Sequence, residues 1–273
     1  MNASVKLSSP ATHEFWEIPI LHEDAELLAL DKPAGLLTSP DRLAPERPSL
    51  MKLLHEGVAA GKPWARERNL AYLANAHRLE GDTSGVLLLA KTKSALIALA
   101  DQFGSDQPLK HYLALAQGVP PDDAFVATEK IGPHPLQNGQ MRIDSRNGKK
   151  ARTEFAVRER FSRWSLVRCT PRLERPQQIA LHLSHAGFAV VGDEAHGGKK
   201  LWLSRLKRNF RLKPGREERP LISRAALHAE ELTVVHPVTH ETVTIKSELP
   251  KDMRVALKYL RLYNEGGGLD KQG

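Results

Sequence analysis

A chain of 273 residues with 41% hydrophobic side chains is long enough for one large domain or two small ones around a packed core. Its longest apolar stretch, 86–100, is broken by Lys91 and Lys93 and falls short of the roughly 20 apolar residues a bilayer span needs, and the single cysteine, Cys169, excludes an internal disulfide. The formal net charge of +8 points to a polyanionic partner, because clustered Lys and Arg neutralise phosphates and release counterions; a basic chain that binds nothing is the plainer reading.

Residues 1–19 show no clear periodicity and are expected to form a short N-terminal arm. The start lacks the charged and then apolar blocks of a secretion signal, which together with the lone cysteine favours the cytoplasm. A strand is predicted over 27–30. Pro48 and Ser49 open a helical pattern through Leu50, Leu53, Leu54 and Val58 that stops at Gly61, with Ser49 as N-cap. A strand over 85–90 precedes a helix over 92–103 that Gly104 ends. Strands follow over 111–117, 153–159 and 165–170. A third helix, 177–186, carries Ile179, Leu183 and Ala186 on one face with Gly187 after its end, and strands over 232–235 and 241–246 close the series. The alternation lacks the regular rhythm of a doubly wound fold. It predicts an α+β domain on a large mixed, mostly antiparallel sheet with flanking helices, spanning 20–264, followed by a flexible tail over 265–273. No internal repeat is visible.

The segment 199–219 holds nine Lys or Arg against two Glu, interleaved with Trp202 and Phe210. That mixture suits phosphate contacts plus base stacking, with Lys207, Arg208 and Arg211 as candidate RNA contacts; a solvated basic loop is the other reading.

The stretch His77-Arg78-Leu79-Glu80-Gly81-Asp82-Thr83-Ser84-Gly85 carries the strongest functional signal. It resembles the signature of RluA-type RNA pseudouridine synthases, His-Arg-Leu-Asp, two variable residues, then Thr-Ser-Gly, with Glu80 in place of the catalytic Asp. Further segments resemble the same family in order: Leu28 to Leu36, with Asp31 where the family has Asn before Lys32-Pro33-Ala34-Gly35; Lys110-His-Tyr112-Leu-Ala-Leu; Gly148-Lys-Lys150-Ala151-Arg-Thr153; and Arg224-Ala-Ala-Leu227-His228-Ala229 followed by His236-Pro237. Where the family reads Gly-Arg-Thr-His-Gln-Ile-Arg, one apolar residue, then His-Leu, this chain reads Glu174-Arg175-Pro176-Gln177-Gln178-Ile179-Ala180-Leu181-His182-Leu183. The last Arg of that pattern, which the resemblance pairs with the catalytic Asp in a salt bridge, is Ala180 here. His196 stands where the family usually has Tyr.

The resemblance implies isomerisation of uridine to pseudouridine in structured RNA, rRNA or tRNA, on a flipped base, by a chain expected to be a monomer and to need no cofactor and no metal. Such chemistry asks for a carboxylate at C1′ or C2′ of the ribose, a base held out of its stack, and exclusion of water. By resemblance Glu80 occupies the catalytic position, Tyr112 packs on the base, and Arg78 holds the flipped nucleotide or its phosphate, with Lys110, Lys150 and Arg175 as further RNA contacts. The bland alternatives are a loop glutamate, a core tyrosine and surface cations. Glu80 is one methylene longer than Asp, which moves the carboxylate by about 1.5 Å on a fixed backbone. Loss of the Arg partner leaves it without the cation that would keep it ionised once desolvated. The alternative is therefore a noncatalytic RNA-binding protein derived from a pseudouridine synthase. His182 and His185, three apart on a helix, lack a third metal ligand at diagnostic spacing, and no phosphate-binding loop or nucleophile elbow is present.

Overall fold

The computed structural model describes residues 3–42, 44–213 and 215–263; the expected tail over 265–273 lies outside them. In chain order the elements are β1 (Ser4–Ser9), β2 (Glu14–Glu23), β3 (Leu27–Lys32), α1 (Leu50–Ala59), α2 (Pro63–Arg66), β4 (Ala74–Asn75), β5 (Ser84–Ala90), α3 (Lys93–Gly104), β6 (Leu109–Gln117), β7 (Ala124–Ala127), β8 (Ile131–Pro133), β9 (Met141–Ile143), β10 (Arg152–Arg160), β11 (Trp164–Arg172), α4 (Gln178–His185), α5 (Leu203–Leu206), β12 (Leu227–Val235), β13 (Thr242–Lys246) and α6 (Lys251–Leu262). The fold is α+β and its strand pairs are mostly antiparallel, as the sequence predicts. The chain divides into two compact units, Met1–Lys110 with Ala229–Glu248, and His111–His228 with Leu249–Gly273.

The first unit orders its strands β1-β2-β3-β5-β12, with β13 on β12 and β4 on β5. Its centre is β5, Ser-Gly-Val-Leu-Leu-Leu-Ala, buried at every position. An unbroken apolar run of this length forms a strand covered on both faces. Ala95 and Leu99 of α3 pack on Leu27, Ala29, Val86 and Leu88. Thr92 caps that helix by accepting the Ala95 N–H at 3.2 Å. Ser49 stands at the N-cap position of α1, but its side chain makes no cap hydrogen bond and its buried hydroxyl has no hydrogen-bond partner among the described residues. His236 fixes the turn between β12 and β13, its Nδ1 accepting the Val238 and Thr239 N–H groups while Nε2 reaches Asp24 at 3.3 Å.

The segment expected to be an arm instead carries β1 and the first part of β2. β1 and β2 pair antiparallel from Ser4↔Pro19 to Ser9↔Glu14. The alternation that drives this is present in Val5, Leu7 and Ser9, all buried with exposed neighbours between them, but six residues is short for a period-two signal. Pro19 inside β2 obscures it further, since proline cannot donate to a ladder; it sits opposite the first residue of β1, where the pairing ends.

The second unit orders β6-β11-β10-β7, all antiparallel, and carries the separate hairpin β8-β9. Helix α6 also belongs here and has no counterpart in the predicted elements. It buries Met253, Ala256, Leu257 and Leu260, one face at helical spacing. Arg224 forks onto Asp252 of this helix at 2.8 and 3.1 Å and also donates to the Ala225 and Leu227 carbonyls. That assigns the closing motif Arg224-Ala-Ala-Leu227 a bracing role. Gly192 lies so close that a Cβ there would stand 2.0 Å from the Arg224 carbonyl oxygen.

Candidate active site

In the first unit, residues 77–85 form a loop running into β5, and the Lys32-Pro-Ala-Gly segment holds it. Lys32, at the end of β3, is fully buried; its ammonium donates to the carbonyls of Pro33 (2.9 Å), Leu36 (2.6 Å) and Gly81 (3.1 Å). The Gly35 N–H donates to the same Gly81 oxygen at 2.9 Å. Thr38 pins the preceding residue on both sides: its hydroxyl donates to the Leu79 carbonyl at 2.7 Å and accepts the Leu79 N–H at 3.2 Å. The Thr83 N–H closes a turn on the Glu80 carbonyl at 3.1 Å. The backbone at Leu79 and Gly81 is thus fixed from a segment more than forty residues earlier, while the side chains of Arg78, Glu80 and Asp82 are exposed. Gly85 ends the loop at φ +112, and a Cβ there would lie 2.2 Å from the Ala229 carbonyl oxygen, so this position requires glycine. Asp31, where the family pattern has Asn, accepts from the Ser247 hydroxyl at 2.9 Å; burial pushes its carboxyl up, the Ser247 bond opposes that, and Glu248 adds to it.

His77 opens the loop as a packing residue. It stacks on Phe103 at 5.0 Å between centroids, and its Nε2 accepts the Leu88 N–H at 3.0 Å. Burial, and then the nearby Lys110 ammonium, push its imidazole down to about 3. Lys110 itself is only 6% exposed, with Nζ 5.7 Å from the Phe103 ring centroid. Lys110, an expected RNA contact, thus lies buried beside the Phe103 ring.

In the second unit, Tyr112 lies on β6 opposite Cys169 of β11, 4% exposed, and its hydroxyl donates to Glu174 Oε1 at 3.2 Å. The residue after Glu174, Arg175, donates from Nε to the Lys150 carbonyl at 3.2 Å. The expected contacts Tyr112, Lys150 and Arg175 therefore converge on one segment. Gln178 organises it: its Oε1 accepts the Arg175 N–H at 2.8 Å, and its amide donates to the carbonyls of Arg152 and Arg172 and to the Thr153 hydroxyl, at 2.9 to 3.1 Å. The Thr153 hydroxyl lies 2.9 Å from His182 Nδ1, and His182 Nε2 lies 3.0 Å from the Glu129 carbonyl. Desolvation holds the His182 imidazole below its usual range against the pull of Glu129. Ala180 is 8% exposed on α4 and brings no charge.

The basic segment is an excursion whose ends are joined by the bridge Leu201↔Ile222 and by Ser204 N–H on Glu218, at 2.8 Å. Lys207, Arg208 and Arg211 are exposed on it. His196 sits in a short 3-10 turn with Nδ1 at 2.9 Å from Asp193. Among the described residues no group of three His, Cys, Asp or Glu side chains is placed to hold a metal ion, and no helix is long and apolar enough to cross a membrane. Thr38, Glu174 and Gln178 carry positioning duties absent from the sequence-based expectations. Gln178 was visible as the Gln of the family pattern, whereas nothing local marks Thr38, whose partner is 41 residues away.

Residues 26–185 match the family model described as RNA pseudouridylate synthase. The ribosomal large subunit pseudouridine synthase D of Nitrosomonas europaea is 32% identical over 262 residues, covering 92% of this chain and 68% of that protein. The ribosomal large subunit pseudouridine synthase C of Salmonella typhi is 32% identical over 243 residues, covering 89% and 70%. Among solved structures, human RNA pseudouridylate synthase domain containing 4 superposes with a TM-score of 0.65 at 23% identity over 89% of this chain and 92% of that one, a likeness of fold. The chain belongs to the RNA pseudouridylate synthase family.

Proposed function

We propose that this chain isomerises uridine to pseudouridine in ribosomal RNA, in the cytoplasm, with Glu80 as the carboxylate that meets the ribose and Tyr112 against the base. The observation that carries the reading is the loop over 77–85, which keeps the family signature except at Glu80 and is braced by Lys32 and Thr38 on either side of that residue. A ribosomal substrate follows the names of the relatives from Nitrosomonas europaea and Salmonella typhi. Glu80 is exposed, so in this reading the RNA itself supplies part of the water-free surroundings the reaction needs. Arg78 beside it, the Lys150 and Arg175 side chains, and the excursion bearing Lys207, Arg208 and Arg211 supply positive charge for the phosphates. The catalytic part in this proposal is 20–264, with 199–219 as its basic appendage.

A second reading, a noncatalytic RNA-binding protein, is favoured by one observation: the position of the family's partner Arg is a buried alanine. One experiment separates the two. Purified protein is incubated with unmodified ribosomal RNA and transfer RNA, and pseudouridine is mapped base by base. Site-specific product that disappears in Glu80→Gln supports catalysis and names the RNA; bound RNA with no product from the unaltered protein refutes it in favour of the second reading.

A further inference from the structure

The hairpin β8-β9 stands apart from the other strands of its unit, and its tip holds Leu136, 89% exposed. Singly exposed apolar side chains are ordinary on protein surfaces. Three features set this one apart. It is the most exposed of the large hydrophobic side chains among the described residues. Its backbone is fixed: His134 Nδ1 accepts the N–H groups of Leu136 (3.3 Å) and Gln137 (3.1 Å), His134 N–H donates to the Gln140 carbonyl at 2.8 Å, and Pro133 and Pro135 limit the strand leading in. Its charge is one-sided: residues 129–150 contain Lys130, Arg142, Arg146, Lys149 and Lys150 against Glu129 and Asp144, and Asp144 is engaged by Arg142 at 3.0 Å and by the Arg146 and Asn147 N–H groups.

The hairpin is also tied to the Tyr112 segment. Gln177, held at φ 59 ahead of α4, accepts the Met141 N–H at 2.9 Å and donates to the Gly139 carbonyl at 3.0 Å. Ile131 packs with Ala151 and Leu181, and Met141 and Ile143 lie against them. Gln177 is three residues from Glu174, the acceptor for the Tyr112 hydroxyl. The tip is thereby presented rigidly, and a rigid element loses little conformational freedom on binding.

We propose that this hairpin is an RNA wedge: Leu136 inserts between stacked bases beside the target uridine while Arg142, Arg146, Lys149 and Lys150 hold the flanking phosphates. An apolar wedge between base steps, framed by cations, is a recurring way to open a nucleic-acid stack. A single leucine is far too small for a protein interface, which takes about 800 Å² from each partner, and it offers no apolar area for a membrane surface. The inference rests on the RNA-directed reading above and adds a contact to it.

The test is filter binding of the full chain to unmodified, transcribed large-subunit ribosomal RNA across a salt series, with pseudouridine mapped in the same samples. Leu136→Ser is expected to weaken binding about tenfold with the salt slope unchanged, since one stacking contact is lost and no phosphate contact is. Leu136→Trp is expected to retain wild-type affinity. The pair Lys149→Gln and Arg146→Gln is expected to flatten the slope. Leu136→Ser binding within twofold of wild type, or losing slope in place of affinity, overturns the wedge; so does a wild type that fails to bind this RNA. Leu136 is solvent-facing, so unchanged urea unfolding of the Ser variant shows that the loss is one of contact. A wild type that binds tightly but makes no pseudouridine overturns the catalytic reading alone, and the affinities still judge the wedge.

Discussion

Acidification should loosen the loop over 77–85 through His77. The imidazole is pushed down to about 3 in the folded chain by burial and by Lys110, against an ordinary value of 6.5, and its Nε2 must stay unprotonated to accept the Leu88 N–H. The folded state therefore favours the neutral ring, and the unfolded chain binds the proton first as pH falls. The associated stability is whole above pH 6.5 and drains away steadily between 6.5 and about 3. At about 1.4 kcal/mol per unit, a drop from pH 7.5 to 5 removes about 2 kcal/mol, a substantial fraction of a typical domain's stability. Other groups titrate over the same interval, so the measurement is a double difference: urea unfolding of the wild type and of His77→Gln, each at pH 7.5 and pH 5. The wild type should lose about 2 kcal/mol more than the variant. In parallel, the His77 ring proton signal should show no midpoint down to pH 4. A midpoint near 6.5, or a wild-type-minus-variant difference that does not change with pH, refutes the account of the buried ring.

Three further outcomes follow from the geometry. Gly85→Ala places a methyl 2.2 Å from the Ala229 carbonyl at φ +112, so the variant should lose more than about 3 kcal/mol in chemical denaturation or fail to fold; a loss below 1 kcal/mol contradicts the close approach. Thr38→Val removes both hydrogen bonds to Leu79 at nearly constant volume and should cost about 1–3 kcal/mol, with any pseudouridine formation slowed beyond what the stability loss explains. Neutralising Lys207, Arg208 and Arg211 together should reduce the slope of log affinity against log salt by about two to three, and an unchanged slope reassigns the excursion to a solvated surface.

How much of this was legible beforehand depends on where each signal resides. β5 announced itself because the apolar run from Val86 to Ala90 follows directly on Gly85, and α1, α3 and α4 because each combines an apolar stripe with a Gly near its end. α6 is equally periodic at 253, 256, 257 and 260, but its polar face is crowded with charge and only its burial in the fold marks it out from a solvated segment. The β1-β2 pair was missed because its alternation is brief and its second strand contains a proline. The order of residues in the site loop was plain from sequence, whereas its bracing by Thr38 and the burial of Lys110 depend on tertiary neighbours that no local pattern encodes.

The chain of groups from Gln178 to Glu129 also has a direction. A carbonyl oxygen can only accept, so His182 Nε2 must carry the hydrogen; Gln178 gives a hydrogen to Thr153, leaving the threonine free to point its own at Nδ1. Both ring nitrogens are then committed and the tautomer is set. His182 thus has no lone pair to lend to a metal and no proton to exchange with a substrate, and it serves as a spacer that locks the strand bearing Thr153 to the helix that begins at Gln178.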